Sequence, residues 1–301
     1  MKRKSFKKRF LPYVIFFIVF VLIIIITHIL DFSDYDIITA AHGEIIDGFE
    51  TKALIIRDEK NIKSPAAGKV NLSSLEGDRI STGTKVAEIS LENGNLSIYN
   101  KIPGILSYAT DGLESTVIPS NMNKLDLNNI EKYKGNYRHL ISGNKIEQGK
   151  TLYRIINNFR LFLIVPAEKE EAERFRINEI IFLTEQKKTD LIRGRIIDIT
   201  EGIDKSFIFV KMDIFVPKWI NIRWIDINFI KNIYRGIKIP RSAVFTQPSG
   251  QGVLKLSGYN KHVFQEVIVV DGDQENVIVK GLEVGVQVIV NPEDFNYGIE
   301  E

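Results

Sequence analysis

His28, His42, His139 and His262, with no cysteine at all, are the only strong nitrogen or sulfur metal ligands in this 301-residue chain. The four histidines are widely separated, so a histidine-based metal site is not expected, and without thiols there is no zinc–thiolate site, iron–sulfur cluster, disulfide or cysteine nucleophile. No G-x-S-x-G elbow, H-E-x-x-H helix or phosphate-binding P-loop is present. Acidic pairs occur at Asp111/Glu114 and Asp271/Asp273, but they flank glycines, as turn residues do. Asp58 and Glu59 follow the apolar run ending at Ile56 and read as structural. No catalytic residue, metal ligand or cofactor-binding residue is therefore assigned, and no enzyme activity is expected.

Charge narrows the partners. The chain has 40 Lys+Arg and 38 Asp+Glu, but Lys2, Arg3, Lys4, Lys7, Lys8 and Arg9 all lie in the first ten residues, which leaves 34 basic against 38 acidic groups elsewhere. A slightly acidic body lacks the basic face that displaces counterions from phosphate, so nucleic acid is not an expected partner. Behind the basic tail runs LPYVIFFIVFVLIIIITHIL, residues 11–30, with no charge. At 1.5 Å rise per residue, about 20 such residues span a bilayer core. Thr39 and Ala41 offer the small residues of a cleavage site, but they lie well beyond an apolar run already longer than a signal-peptide core, so an uncleaved transmembrane helix is expected. The basic tail should stay cytoplasmic and the rest of the chain extracytoplasmic, giving a single-pass cell-membrane protein that contacts the bilayer through residues 11–30. His28 reads as an interfacial residue.

The elements after the anchor are short Ile- and Val-rich runs bounded by Gly, Asn, Asp and Pro, such as NLSIYN, RIIDIT, FIFVKMDIFV, QEVIVVD and NVIVKG. They predict a mainly β ectodomain. Within it a pattern recurs without gaps: Gly77, Ile80, Gly83, Val86 and Ile89 are matched by Gly143, Ile146, Gly149, Leu152 and Ile155. Each copy is preceded by a proline–glycine turn into a strand, Pro65–Gly68 before the first and Pro103–Gly104 before the second. Two such half-motifs can face each other in a small sandwich and bury both sets of aliphatics. Gly77 and Gly143 are expected at positive φ, whereas Gly250, in TQPSGQG, is expected to lie in a tolerant loop.

These residues resemble the lipoyl/biotinyl-like barrel-sandwich hybrid domain of the HlyD-like membrane fusion proteins, the periplasmic adaptors of bacterial efflux and secretion systems. Ser64, Pro65, Gly68, Val70, Glu76, Gly77, Ile80, Gly83, Val86 and Ile89 fill the family's half-motif. Gly236–Val244, which includes Pro240, resembles the segment where the adaptor β-barrel gives way to the membrane-proximal domain. Gly281, Leu282, Gly285 and Val288 resemble that last domain's closing hairpin. Carrier domains of this fold attach a cofactor to a lysine at the tip joining the halves. Here the tip is Leu91–Leu96, with Asn93-Gly94 as the expected two-residue turn, and Lys85 and Lys101 lie outside it, so no swinging-arm cofactor is expected. The long coiled-coil hairpin that many adaptors carry there is also missing. An insertion appears elsewhere instead: Gly68 and Gly77 lie nine positions apart, Gly104 and Gly143 39. Leu125, Leu127, Ile130 and Tyr133 suggest a short helix or two in it, with Asp126 and Asn128 available as caps.

The resemblance implies a basic tail at 1–10, the transmembrane helix at 11–30 and a barrel-sandwich domain at 37–160 with its insertion at about 111–142. A β-barrel domain at 161–240 and a membrane-proximal-like β domain at 241–301 follow. The charged run Glu168–Arg174 is expected to be a solvated helical turn. Trp219 and Trp224 alternate with charged residues in a way that fits an exposed contact edge and core packing equally. Leu127, Trp219 and Trp224 are the candidate interaction residues. The family implies an inner-membrane transporter as partner and self-association of the ectodomain. A cell-envelope scaffold that keeps the adaptor fold without a transporter is the alternative, kept open by the missing coiled coil.

Overall fold

The computed structural model describes residues 16–21, 36–185, 190–248, 250–258 and 261–292. Residues 16–21 are helical, and all but the last are exposed; the rest of the expected 11–30 span lies outside the described residues. Among the described residues no helix is long and apolar enough to cross a membrane. The described chain is almost entirely β and divides into two compact units, 46–233 and a second formed by 1–45 with 234–301.

The sandwich occupies the first part of the larger unit. One sheet has the order Lys145–Ile146, Gly68–Leu72, Lys85–Leu91, Gly94–Tyr99; the other runs from Ala41–Lys63 through Thr151–Ala167 and Gly104–Ser107 to Arg79–Ile80. The two half-motifs are exchanged between the sheets. Arg79 and Ile80 of the first copy pair with Ile105 and Gly104 of the second half, while Lys145 and Ile146 of the second copy pair with Lys69 and Gly68 of the first. The turn hydrogen bonds match as well. Gly77 N donates to Leu106 O at 2.9 Å and Gly143 N to Val70 O at 2.7 Å, and Gly83 N donates to Asn100 O and Gly149 N to Ser64 O, both at 2.8 Å. Ile80, Val86 and Ile89 meet Ile146, Leu152 and Ile155 in one buried cluster, which gives the sequence repeat its packing reason. The joining turn differs from expectation. Leu91 pairs with Gly94, so Glu92 and Asn93 form the two-residue loop and Gly94 opens the next strand at φ 127°.

Six strands then close a barrel: Ala41–Lys63, Thr151–Ala167, Ser206–Met212, Ile192–Glu201, Ile180–Glu185 and Trp224–Pro240, the last bonded back to the first. Successive side chains of a strand point to opposite faces, and three strands here are apolar on both. Ala53, Ile55, Leu161, Leu163, Val165, Ile208 and Val210 fill the barrel core, while their neighbours Leu54, Ile56, Phe162, Ile164, Phe207 and Phe209 pack outward under the insertion. That double coverage explains the unbroken runs ALII, LFLIV and FIFV. The charged run forms the short helix Lys169–Glu173, with acidic side chains at the surface, while Ala172 and Phe175 enter the barrel core. In the insertion the expected helices are two 3₁₀ turns, Pro119–Lys124 and Ile130–Lys132. Asp126 Oδ1 accepts from Asn129 N at 3.3 Å, whereas Asn128 caps nothing and accepts from Ile203 N at 3.0 Å.

The smaller unit corrects one boundary. Residues 37–45, placed in the sandwich from the sequence, belong with the C-terminal residues: Ile37–Thr39 pairs with Gln287–Ile289, and Gly285 N donates to Ala40 O at 2.8 Å. Hydrophobic patterning alone does not tell which sheet a short N-terminal strand joins, because its partner lies some 250 residues away. Ala40, Ile237, Val253, Val277, Leu282 and Val288 share this unit's core.

Candidate functional site

The larger unit contains a joint between sandwich and barrel, where the strands Ala41–Lys63 and Thr151–Ala167 run through both. Pairing shifts there, with Ile156 opposite Glu59 and Leu161 opposite Arg57, so residues 157–160 bulge over Asp58. Three arginines meet beside this bulge. Arg57, Arg154 and Arg223 are each at most 1% exposed, although arginine is rarely fully buried unless paired. Glu59 lies between two of them, accepting from Arg154 Nη1 at 2.6 Å and from Arg223 Nη2 at 2.5 Å. Asp111 takes Arg223 in a fork, Nε at 2.5 Å and Nη2 at 3.1 Å. Arg57 approaches both carboxylates, 3.5 Å from Glu59 and 3.6 Å from Asp111.

Three guanidinium groups against two carboxylates leave a positive excess, and backbone carbonyls take it up. Arg57 Nη1 donates to Trp219 O at 2.9 Å and Ile222 O at 2.5 Å, Arg154 Nη2 to Ile220 O at 2.8 Å, and Arg223 Nη1 to Val117 O at 3.4 Å. The barrel segment 217–223 is thereby held against the sandwich. Its Asn221 completes the contact, accepting from Arg154 Nη2 at 2.8 Å and Ser107 Oγ at 2.9 Å and donating to Glu76 Oε1 at 2.9 Å. Burial and then the neighbouring Arg223 charge push Arg57 down to about 10, which still leaves it protonated at neutral pH. Burial pushes the Asp111 carboxyl up, but its bonds and charge contact with Arg223 outweigh that and hold it below the usual range. The site is a closed ionic lock. Every carboxylate oxygen in it faces an arginine, which suits it to holding two domains together.

The expected site residues fall in several places. Gly77, Gly83, Gly143 and Gly149 all lie at positive φ, between 81° and 95°, at the four equivalent turns. Gly68 and Gly104 are needed for close approach: a Cβ would lie 2.5 Å from Ser90 O at the first and 2.7 Å from Ile156 O at the second. Pro65 is exposed in the turn before Gly68. Pro240 pairs with Asn276, and Gly281 and Gly285, at φ 91° and 86°, lie in the hairpin region of the smaller unit. Gly250 is not the tolerant loop residue expected, since it opens a strand at φ 139°. Trp219 corrects the contact-edge reading: it is 2% exposed in the barrel core and its Nε1 donates to Glu185 Oε1 at 2.9 Å. Trp224 is half-buried under the insertion and Leu127 half-buried within it, with Trp224 Nε1 donating to Tyr133 O at 2.9 Å.

The three arginines are not among the residues that the sequence motifs single out. Arg154 and Arg223 stand between large apolar residues, in LYRI and NIRW, and Arg57 ends the apolar run of ALIIRD; an inward-facing charge in or beside such a run is the signal available. Asp111 and Glu114, turn residues by their flanking glycine, are both buried, and Glu114 Oε1 accepts from Asp111 N at 2.5 Å.

Comparison with known families places the joint between two recognised domains. The model for an RND related, barrel-sandwich hybrid domain matches residues 59–157, and that for an RND related, beta-barrel domain matches 161–233. Together they cover more than half of the chain. It belongs to the RND-related family that these two domain models describe. The gap between the two matches, residues 158–160, falls within the 157–160 bulge, so the lock lies at the border of the chain's two family domains. No curated protein sequence matches the chain. Among solved structures, ZneB from Cupriavidus metallidurans is 12% identical, covering 89% of this chain and 94% of that one at a TM-score of 0.38. MacA from Actinobacillus actinomycetemcomitans is 11% identical over 83% and 98%, at 0.36, and the membrane fusion protein Spr0693 from Streptococcus pneumoniae R6 is 8% identical over 61% and 99%, at 0.31.

Proposed function

We propose that the protein is the membrane-anchored adaptor of an efflux or secretion transporter, working by protein–protein contact and self-association rather than by catalysis. The observation that carries this reading is the order along the chain. A basic tail and an uncharged apolar run precede an RND-related barrel-sandwich domain, which is followed directly by an RND-related β-barrel. One apolar run cannot line a conduit, so a transport role requires a partner that can. The ectodomain lies on the extracytoplasmic side, and residues 11–30 hold it to the bilayer. With Trp219 committed to the barrel core, the contact surfaces for a transporter and for further copies lie elsewhere on the ectodomain. Crosslinking in native membranes at native expression, followed by mass spectrometry of the purified adducts, tests this. A membrane transporter recovered together with self-crosslinked species is expected; a strictly monomeric protein with no transporter attached would overturn the reading.

A further inference from the structure

Among the described residues sandwich and barrel share two continuous strands, and one of these bulges at the border, which by itself describes a hinge. Two other connections oppose any hinge motion. The insertion, which belongs to the sandwich by sequence, leaves it and lies on the barrel. Val117, Leu125, Ile130 and Tyr133 cover the outward-facing Leu54, Ile56, Phe162, Ile164, Phe207 and Phe209. It is tied to the barrel at separate points: Arg223 to Asp111 at its root, Trp224 to the carbonyl of Tyr133, and Ile203 to Asn128. The arginine cluster forms the second connection, joining Arg154 and Glu59 of the sandwich to the barrel segment 217–223.

We propose that the insertion at 111–142 is a strap and the Arg57/Arg154/Arg223 cluster its lock, so that sandwich and barrel move as one rigid body. Rotating the barrel against the sandwich would part buried ion pairs without water to replace them and would uncover the apolar outer face of the barrel. Both costs fall on the same motion. The lock needs all its members, because removing either carboxylate leaves buried guanidinium groups facing each other. This inference does not depend on which transporter, if any, the protein serves.

Because the chain has no cysteine, a single introduced pair can be spin-labelled without background. Glu92→Cys lies on the exposed sandwich hairpin and Arg193→Cys on an exposed barrel position, and their separation is read by pulsed electron–electron resonance on the full chain in detergent. A single narrow distance distribution is expected, widening at least about twofold when Leu125→Ser and Ile130→Ser release the strap. Asp111→Asn, which keeps the shape and removes the charge, should widen it as well. A broad or multiple distribution in the labelled parent would overturn the proposal, as would an unchanged width in a strap or lock variant whose circular dichroism remains native. Should both variants fail to fold, the width in the parent decides alone.

Discussion

Replacing Gly77 or Gly143 isolates one term of the folding free energy, because neither site is crowded. A Cβ at Gly77 would find Ile220 Cδ1 at 3.9 Å, and one at Gly143 would find Lys69 Cε at 3.8 Å, both ordinary contact distances. The cost of a side chain is therefore conformational, set by φ values of 85° and 95°. Alanine in the left-handed region costs about 1–2 kcal/mol, and asparagine less, because its short polar side chain bonds locally. A β-branched valine belongs among the strained outliers, at roughly 2–3 kcal/mol. In a unit of this size each kcal/mol moves the melting temperature by about 2–4 °C, so alanine should lower it by roughly 2–8 °C and valine by more. Thermal melts of the detergent-purified full chain, followed by circular dichroism, should rank Asn, Ala and Val in order of increasing loss, with matching losses at the two sites. A valine melt no lower than the asparagine melt at either position would refute the reasoning. Gly250 cannot serve as the neutral reference, since it too has positive φ and its Cβ would lie 3.4 Å from Glu266 Oε1.

Other residues separate folding from contact. Trp219→Ala should cost about 3–5 kcal/mol of stability, seen as a lower melting temperature, while leaving the crosslinked fraction of the protein that remains folded unchanged. Glu59→Gln removes a buried partner shared by two arginines and should destabilise by about 3–5 kcal/mol. Arg160→Ala, which breaks the half-exposed pair with Asp58, should stay within about 1 kcal/mol by the same melts. For topology, Ser257→Cys should react with a membrane-impermeant maleimide in intact cells and Ser5→Cys should not; the reverse pattern would invert the orientation.

The sandwich was readable in the sequence because its constraints are local and repeated. A turn that needs positive φ demands glycine, and the aliphatic three residues on must point inward, so Gly77–Ile80 and Gly143–Ile146 carry the same letters for the same physical cause. The exchange of strands between the sheets was not readable, since the repeat is equally compatible with each half closing on itself. It emerges only from pairings such as Arg79 with Ile105 and Lys145 with Lys69. The joint was least visible. Glu59 meets Arg223 across 164 positions and Arg154 across 95, and Asp111 meets Arg223 across 112. No periodicity links residues so far apart, and each alone resembles an ordinary strand or turn residue.

Trp219 shows the same limit from the opposite side. Its neighbours Lys218, Asn221 and Arg223 made the segment look half-solvated, yet Asn221 and Arg223 are polar because they bond inward, to Glu76, Ser107, Arg154, Glu59 and Asp111. Alternation of polar and apolar residues marks an exposed face only where the polar partner is water. At a domain border the partner is another domain, and the sequence pattern is the same. The residues that hold sandwich to barrel therefore look like surface residues, and what distinguishes Arg57, Arg154, Arg223 and Asp111 is their burial.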